Sequence, residues 1–212
     1  MDAKNTFWQH LIVGISSVGL AFIFKFLLNN SWSVSFARVS FILLFLVLAI
    51  GPIIRMKKSV KDLLSFFTPL SWRGELGIWF FITGLTHFIF VLLRSPLSEL
   101  IKIGGGGYGL TNLLGLVALV LALLLAATSF GKVIKFLGVE LWEKIHTLTY
   151  VVFYLIAGHF IYFQFFSTYG EVGPDWFGYL AVAMTVIIII LQLIAFICMI
   201  KKHHGEECLP KK

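Results

Sequence analysis

Six stretches of apolar residues, each near the length that a bilayer demands, constrain this chain more than any other feature. They run approximately over 10–28, 36–54, 75–94, 109–129, 141–165 and 176–200. A helix needs about 20 residues to cross the hydrocarbon core. The runs are continuous rather than alternating, which suits helices and not the strands of a barrel. With 59% hydrophobic residues, 13% charged and a mean hydropathy of +0.95, a water-soluble domain could not hide this surface. The expected fold class is therefore an all-α membrane protein, a bundle of six transmembrane helices. The breaks carry turn or charge chemistry: Asn29-Asn30-Ser31, residues 55–73 with Pro69, 95–107 with Pro96, 131–140, and 167–175 with Pro174. Residues 1–9 precede the membrane domain of 10–200, and 201–212 form a basic tail. The first run has little basic flank and no small-x-small cleavage site, so it reads as a retained helix.

Charge orients the bundle. The formal net charge is +7, but the basic residues sit between apolar runs instead of clustering on a soluble face, which gives no reason to expect nucleic acid. If the N-terminus is inside, thirteen of the 17 Lys and Arg fall on inner segments, and only Lys25, Arg38, Arg94 and Lys102 fall outside. The positive-inside rule then places both termini in the cytoplasm. Cys198 and Cys208 form no CxxC and suggest no disulfide framework. Trp8, Trp32, Trp72, Trp142 and Trp176 lie near span ends, where indole belts belong.

Histidines inside the spans carry the chemistry. An ionisable side chain in a membrane is costly and faces a partner, a cavity or a cofactor. His146 and His159 are 13 residues apart, a helical rise of about 20 Å, so they sit at different depths. His87 lies 14 residues after Arg73 on the third run, which crosses in the same direction as the fifth. His87 is therefore level with His159 towards the outer face, and His146 is level with Arg73 towards the inner face.

Two readings fit the His87–His159 pair: axial ligands of one haem iron from neighbouring helices, or hydrogen-bonded core histidines. His146 is about 140° from His159 around a straight helix, and Gly158 offers a place to bend. It suits a second haem, a quinone or flavin contact, or an interfacial position beside Lys144. Arg73 suits a haem propionate, a quinone oxygen or a lipid phosphate. The Gly104–Gly107 run reads as a flexible loop. His203, His204 and Cys208 read as a solvated tail, and His10 as interfacial. No Ser/His/Asp set or paired carboxylate site appears.

A resemblance adds to these readings. Ala127-Thr128-Ser129, Leu137-Gly138, Trp142-Glu143-Lys144-Ile145-His146, Tyr150 and His159 resemble the pattern TS…LG…WxxLHxxxY…H. Arg73, Leu76-Gly77, Trp79 and His87 resemble RxxLGxW…H, and Gly51-Pro52 to Arg55 resembles the basic close of the second helix. Over roughly residues 50–165 the chain is similar to the ferric-reductase-like transmembrane domain. More narrowly, it resembles the MsrQ (YedZ) family, the haem-binding membrane subunit of the protein-methionine-sulfoxide reductase system.

The resemblance implies a multi-pass protein of the bacterial inner (plasma) membrane that holds haem b, one or two, through His87, His146 and His159. Electrons would come from the quinone pool or a cytoplasmic flavin reductase and pass to a periplasmic molybdopterin-containing reductase subunit that repairs methionine sulfoxide. FMN is also attributed to the family. The chain would be an electron-transfer subunit and not the catalytic one. The 95–109 loop is shorter than that family leads one to expect. Membrane lipid is the remaining partner. Two rival functions use the same histidines differently: a proton-coupled transporter with a histidine relay, and a membrane scaffold indifferent to their replacement.

Overall fold

The computed structural model describes residues 6–56, 72–102, 109–166 and 174–203. The Gly104–Gly107 run, His204 and Cys208 lie outside them. The described helices are α1 (Thr6–Phe26), α2 (Trp32–Met56), α3 (Arg73–Leu92), α4 (Leu97–Leu100), α5 (Gly109–Thr128), α6 (Gly131–Leu137), α7 (Val139–His146), α8 (Leu148–Phe165) and α9 (Trp176–His203). Six spans are long and apolar enough to cross a membrane: Phe7–Phe26, Trp32–Ile53, Arg73–Leu92, Gly109–Thr128, Val139–Phe165 and Trp176–Lys201. Their ends lie within a few residues of the sequence expectation. The face at which α1 begins is called here the first face, and the opposite one the second.

Local chemistry explains the boundaries. Asn29 takes a left-handed φ of 50° at the end of α1, and the Asn30 backbone N–H and side-chain amide both donate to Phe24 O. That satisfies one of the orphan carbonyls of the last turn. Ser31 then caps α2, its hydroxyl accepting from the Val34 N–H at 3.2 Å. Gly138, at φ +79°, turns the chain between α6 and α7, a conformation that costs glycine little.

α2 is the axis of the bundle. α1, α3, α8 and α9 pack on it, and α5 packs on α3 and α8. Phe41 of α2 meets Phe153 and Phe160 of α8 at 5.9 and 5.5 Å between ring centroids, and Phe160 meets Phe177 of α9 at 5.6 Å. Lipid tails are as apolar as these rings, so close packing and interhelical polar links, rather than flight from water, hold such helices together. The outward residues of α9, such as Leu193, Phe196 and Ile197, are more than half exposed, as a lipid-facing surface requires.

Four expectations change. The 131–140 break contains the helix α6 as well as a turn. The fifth run is interrupted at Thr147, where α7 ends and α8 begins, and not at Gly158, which stays inside α8. Cys198 is disulfide-bonded, against the expectation of no disulfide. Arg38, counted above among outer flanking charges, is buried at 2% exposure and paired with Asp175. Its guanidinium lies 5.1–5.8 Å from the ring centroids of Phe24, Trp176 and Phe177. Asp175 also accepts from the Gly178 N–H at 3.0 Å, so one carboxylate caps α9 and ties it to α2.

Candidate functional site

Two levels inside the bundle carry its histidines. The second-face level begins with α2 and α5, both of which start at that face. Ser33 stands in the first turn of α2, and Thr111 in the first turn of α5. Each reaches a histidine near the far end of an antiparallel neighbour. Nδ1 of His87, late in α3, is 3.0 Å from the Ser33 carbonyl oxygen and 2.9 Å from its hydroxyl. Nδ1 of His159, late in α8, is 2.8 Å from the Thr111 carbonyl oxygen. The structure therefore brings His87 and His159 to the same level of the bundle.

A carbonyl oxygen can only accept. Both Nδ1 atoms must therefore carry the hydrogen, and in the neutral ring the lone pair is left on Nε2. Among the described residues neither Nε2 has a hydrogen-bond partner in the protein. Gly115 of α5 completes the setting of His159. A Cβ there would stand 2.9 Å from Nδ1 and 3.0 Å from Cε1, so the ring packs where only glycine leaves room. His159 also meets the edge of Phe163 at 5.0 Å.

This donor set fits a haem. Histidines that hold a metal usually donate their other ring nitrogen to a carbonyl or carboxylate, which fixes the tautomer and the ring plane. Among the described residues no three His, Cys, Asp or Glu side chains gather as a metal-ion site. A haem iron needs only two from the protein, because the macrocycle supplies the rest.

The first-face level is built differently. His146, at the end of α7, faces Thr128 at the end of α5, with Nε2 3.2 Å from the threonine hydroxyl. That hydroxyl's single hydrogen already serves the Leu124 and Leu125 carbonyl oxygens, at 2.9 and 3.1 Å. With that hydrogen given to either carbonyl, the hydroxyl accepts from His146, and the imidazole hydrogen then sits on Nε2 and the lone pair on Nδ1. The tautomer is the reverse of that at the other level. Trp142, one turn earlier, lies over the imidazole at 4.4 Å between centroids. Among the described residues its buried indole N–H has no partner. Arg73 begins α3 at the same face. Its Nη1 stands 3.7 Å from where a Cβ on Gly51 would lie, which tucks the guanidinium against α2.

Arg73, His87, His146 and His159 thus divide two and two between the levels. Sequence reasoning did not single out Ser33, Thr111 or Gly115; it met Thr128 only within the family pattern, and Trp142 both there and as an interfacial belt residue. One signal was available: each hydroxyl residue lies near the end of an apolar run, at a depth that mirrors a histidine on an antiparallel run.

Comparison with known proteins agrees with this architecture. Residues 36–157 match the family described as ferric reductase like transmembrane component. The match takes in Arg73, His87 and His146 and stops two residues short of His159. The chain is 33% identical over 105 residues to the magnetosome protein MamZ of Paramagnetospirillum magneticum. It is 30% identical over 108 residues to MamZ of Magnetospirillum gryphiswaldense. Each alignment covers 49% of this chain but only 16% of the relative.

Proposed function

Because this chain belongs to the ferric reductase like transmembrane family, we propose that it is a multi-pass electron conduit that holds a b-type haem between His87 and His159. A haem so held supplies a one-electron couple in the second-face half of the bundle. The reading is carried by one observation: both imidazoles donate through Nδ1 to main-chain carbonyls, which turns both Nε2 lone pairs over to a ligand.

The chain's own residues have three tasks. The Ser33 and Thr111 carbonyls fix the ring planes and make the imidazoles better ligands. Two imidazole ligands, from His87 and His159, would favour electron transfer over oxygen chemistry at a haem held there. The surrounding Phe, Leu and Ile side chains keep water out and tune the potential. At the first face, Arg73 and His146 receive the electron donor, a quinol or a cytoplasmic flavin reductase, with FMN as a cofactor that the family resemblance suggests. His146 is the ligand available to a second haem.

The acceptor is a periplasmic reductase subunit of the molybdopterin type, as in the MsrQ (YedZ) family, and the membrane is the bacterial inner membrane. Methionine-sulfoxide repair of envelope proteins is the resulting role. The chain serves as the electron-transfer subunit and not the catalytic one. Proteoliposomes test the conduit. Ferricyanide trapped inside should be reduced by an impermeant donor outside only when the protein is present, and His87→Ala should abolish the difference. Equal rates in protein-free vesicles would remove the conduit role.

A further inference from the structure

His87 and His159 each lean on the first turn of a helix, where backbone is least secure. Helix ends fray, and the first N–H groups have no partner within the helix. α2 meets this locally. The Ser31 hydroxyl accepts from the Val34 N–H at 3.2 Å, and the Ser31 carbonyl accepts from the Ser35 N–H and hydroxyl, each at 2.9 Å. The turn that holds Ser33 is thereby fastened. α5 is fastened from outside. The described residues resume at Gly109, just before Thr111, and the tie comes from the residue after it. The side-chain amide of Asn112 donates from Nδ2 to the Leu100 carbonyl oxygen at 2.9 Å.

The place of that bond gives it leverage on the site. The Thr111 carbonyl and the Asn112 nitrogen belong to one planar peptide unit. The residue tied to Leu100 therefore carries one end of the plane whose oxygen accepts the Nδ1 hydrogen of His159 at 2.8 Å. Leu100 closes α4, and its carbonyl is of the kind that a helix end leaves without a partner. α4 also packs on α5. Residues 93–96 join α4 to α3, and within that link the Arg94 and Ser95 N–H groups both donate to the Val91 carbonyl at 3.0 Å. α4 is thus joined through the chain to the helix that carries His87, and through Asn112 to the helix that holds His159.

We propose that α4 and Asn112 form a strap that sets the spacing and ring planes of the two imidazoles, with Asn112 as a positioning residue that acts on His159 through the Thr111 carbonyl. The proposal rests on the reading of His87 and His159 as haem ligands and adds what holds them in register. Releasing the strap lets the Thr111–Asn112 peptide plane tilt. The tilt weakens the bond to Nδ1, turns the imidazole and spoils the aim of its Nε2 lone pair. The Ser33 side, fastened by Ser31, is left as it was.

Two substitutions separate a strap from a simple helix start. Asn112→Leu removes the donor and keeps the bulk. Asn112→Asp also removes the donor, but a carboxylate in the first turn favours the helix N-terminus. NMR of isotope-labelled histidine in the full-length protein, reduced with dithionite in lipid nanodiscs, reads the Nδ1–H protons with or without a bound haem. His87→Ala and His159→Ala assign the signals. Both Asn112 variants should move the His159 Nδ1–H proton upfield and leave that of His87 in place. Both should also release haem to apomyoglobin about fivefold faster, the equivalent of one hydrogen bond. Asn112→Asp decides the matter even where Asn112→Leu fails to fold. A wild-type His159 signal in Asn112→Asp would make Asn112 a helix starter only, and the strap would be wrong. Equal shifts at His87 and His159 would mean general loosening and count equally against it. A His159 response in a protein that takes up no haem would keep the strap and overturn the haem reading. A haem-bearing protein whose His159 signal ignores both variants would do the reverse.

Discussion

Replacing Gly115 with alanine drives a methyl group into the ring of His159. The new Cβ would stand 2.9 Å from Nδ1, 3.0 Å from Cε1 and 3.4 Å from Cγ. Unstrained carbon contacts settle at about 3.5–4.0 Å, so the ring must retreat by roughly half an ångström. That movement lengthens or tilts the 2.8 Å bond from Nδ1 to Thr111 O. Overpacking of this kind costs about 1–3 kcal/mol, and alanine returns about 1 kcal/mol of helix propensity at the same site. The net destabilisation is ~0–2 kcal/mol, which leaves a folded protein with a displaced ligand. Low-temperature electron paramagnetic resonance of the oxidised protein is the assay, with thermal melting as the check on folding. The bis-imidazole low-spin signal should broaden or vanish while the melting temperature moves by a few degrees. Gly158→Ala is the matched control. It neighbours His159 in sequence, but its added Cβ meets nothing within 4 Å, so its signal should equal the wild type's. Wild-type spectra from Gly115→Ala would show that the His159 ring does not pack against α5 as described.

Ser33→Ala removes the hydroxyl from Nδ1 of His87 and keeps the carbonyl. Redox titration should show a shift of the midpoint potential of about 40 mV, equivalent to one hydrogen bond of roughly 1 kcal/mol, and no loss of haem; no shift would make the hydroxyl a bystander. Asp175→Ala strands the buried Arg38 guanidinium and should cost about 3 kcal/mol in detergent-solubilised melting. Arg38→Met should cost less, because it leaves only a carboxylate that is 37% exposed; the opposite order would contradict the burial asymmetry. Thr128→Val deprives His146 of its acceptor and should leave the His87–His159 low-spin signal untouched. A change in that signal would mean that the two levels are coupled.

Much of this architecture is visible in the sequence, because hydropathy and depth are linear quantities. Run length fixed the spans, and residue counting along co-directional runs placed His87 with His159 and Arg73 with His146. Partners are not linear quantities. Ser33 and Thr111 read as ordinary small polar residues of a membrane helix, Thr128 stands out only through the family pattern, and only the packing of α2 on α3, of α5 on α8 and of α5 on α7 gives each of them a histidine. Arg38 misleads for a similar reason. Five residues from Ser33 on α2, it resembles a snorkelling flank charge until α9 delivers Asp175 beside it. The irregularity at Thr147 carries no proline or glycine signal, whereas Gly158, which does, stays in regular helix. Trp142 sits near a span end as a belt residue would, yet its ring turns inward onto His146.

The most direct test of the account is the visible spectrum of the purified protein, oxidised and then reduced with dithionite. It should be recorded for the wild type and for His87→Ala, His159→Ala and His146→Ala. The wild type should show a reducible, low-spin b-type spectrum. The first two variants should lose the bis-imidazole signature, and His146→Ala should keep it. A folded, colourless wild type, or a low-spin spectrum that survives the loss of His87 or His159, would contradict the claim that these two side chains hold an iron porphyrin between them.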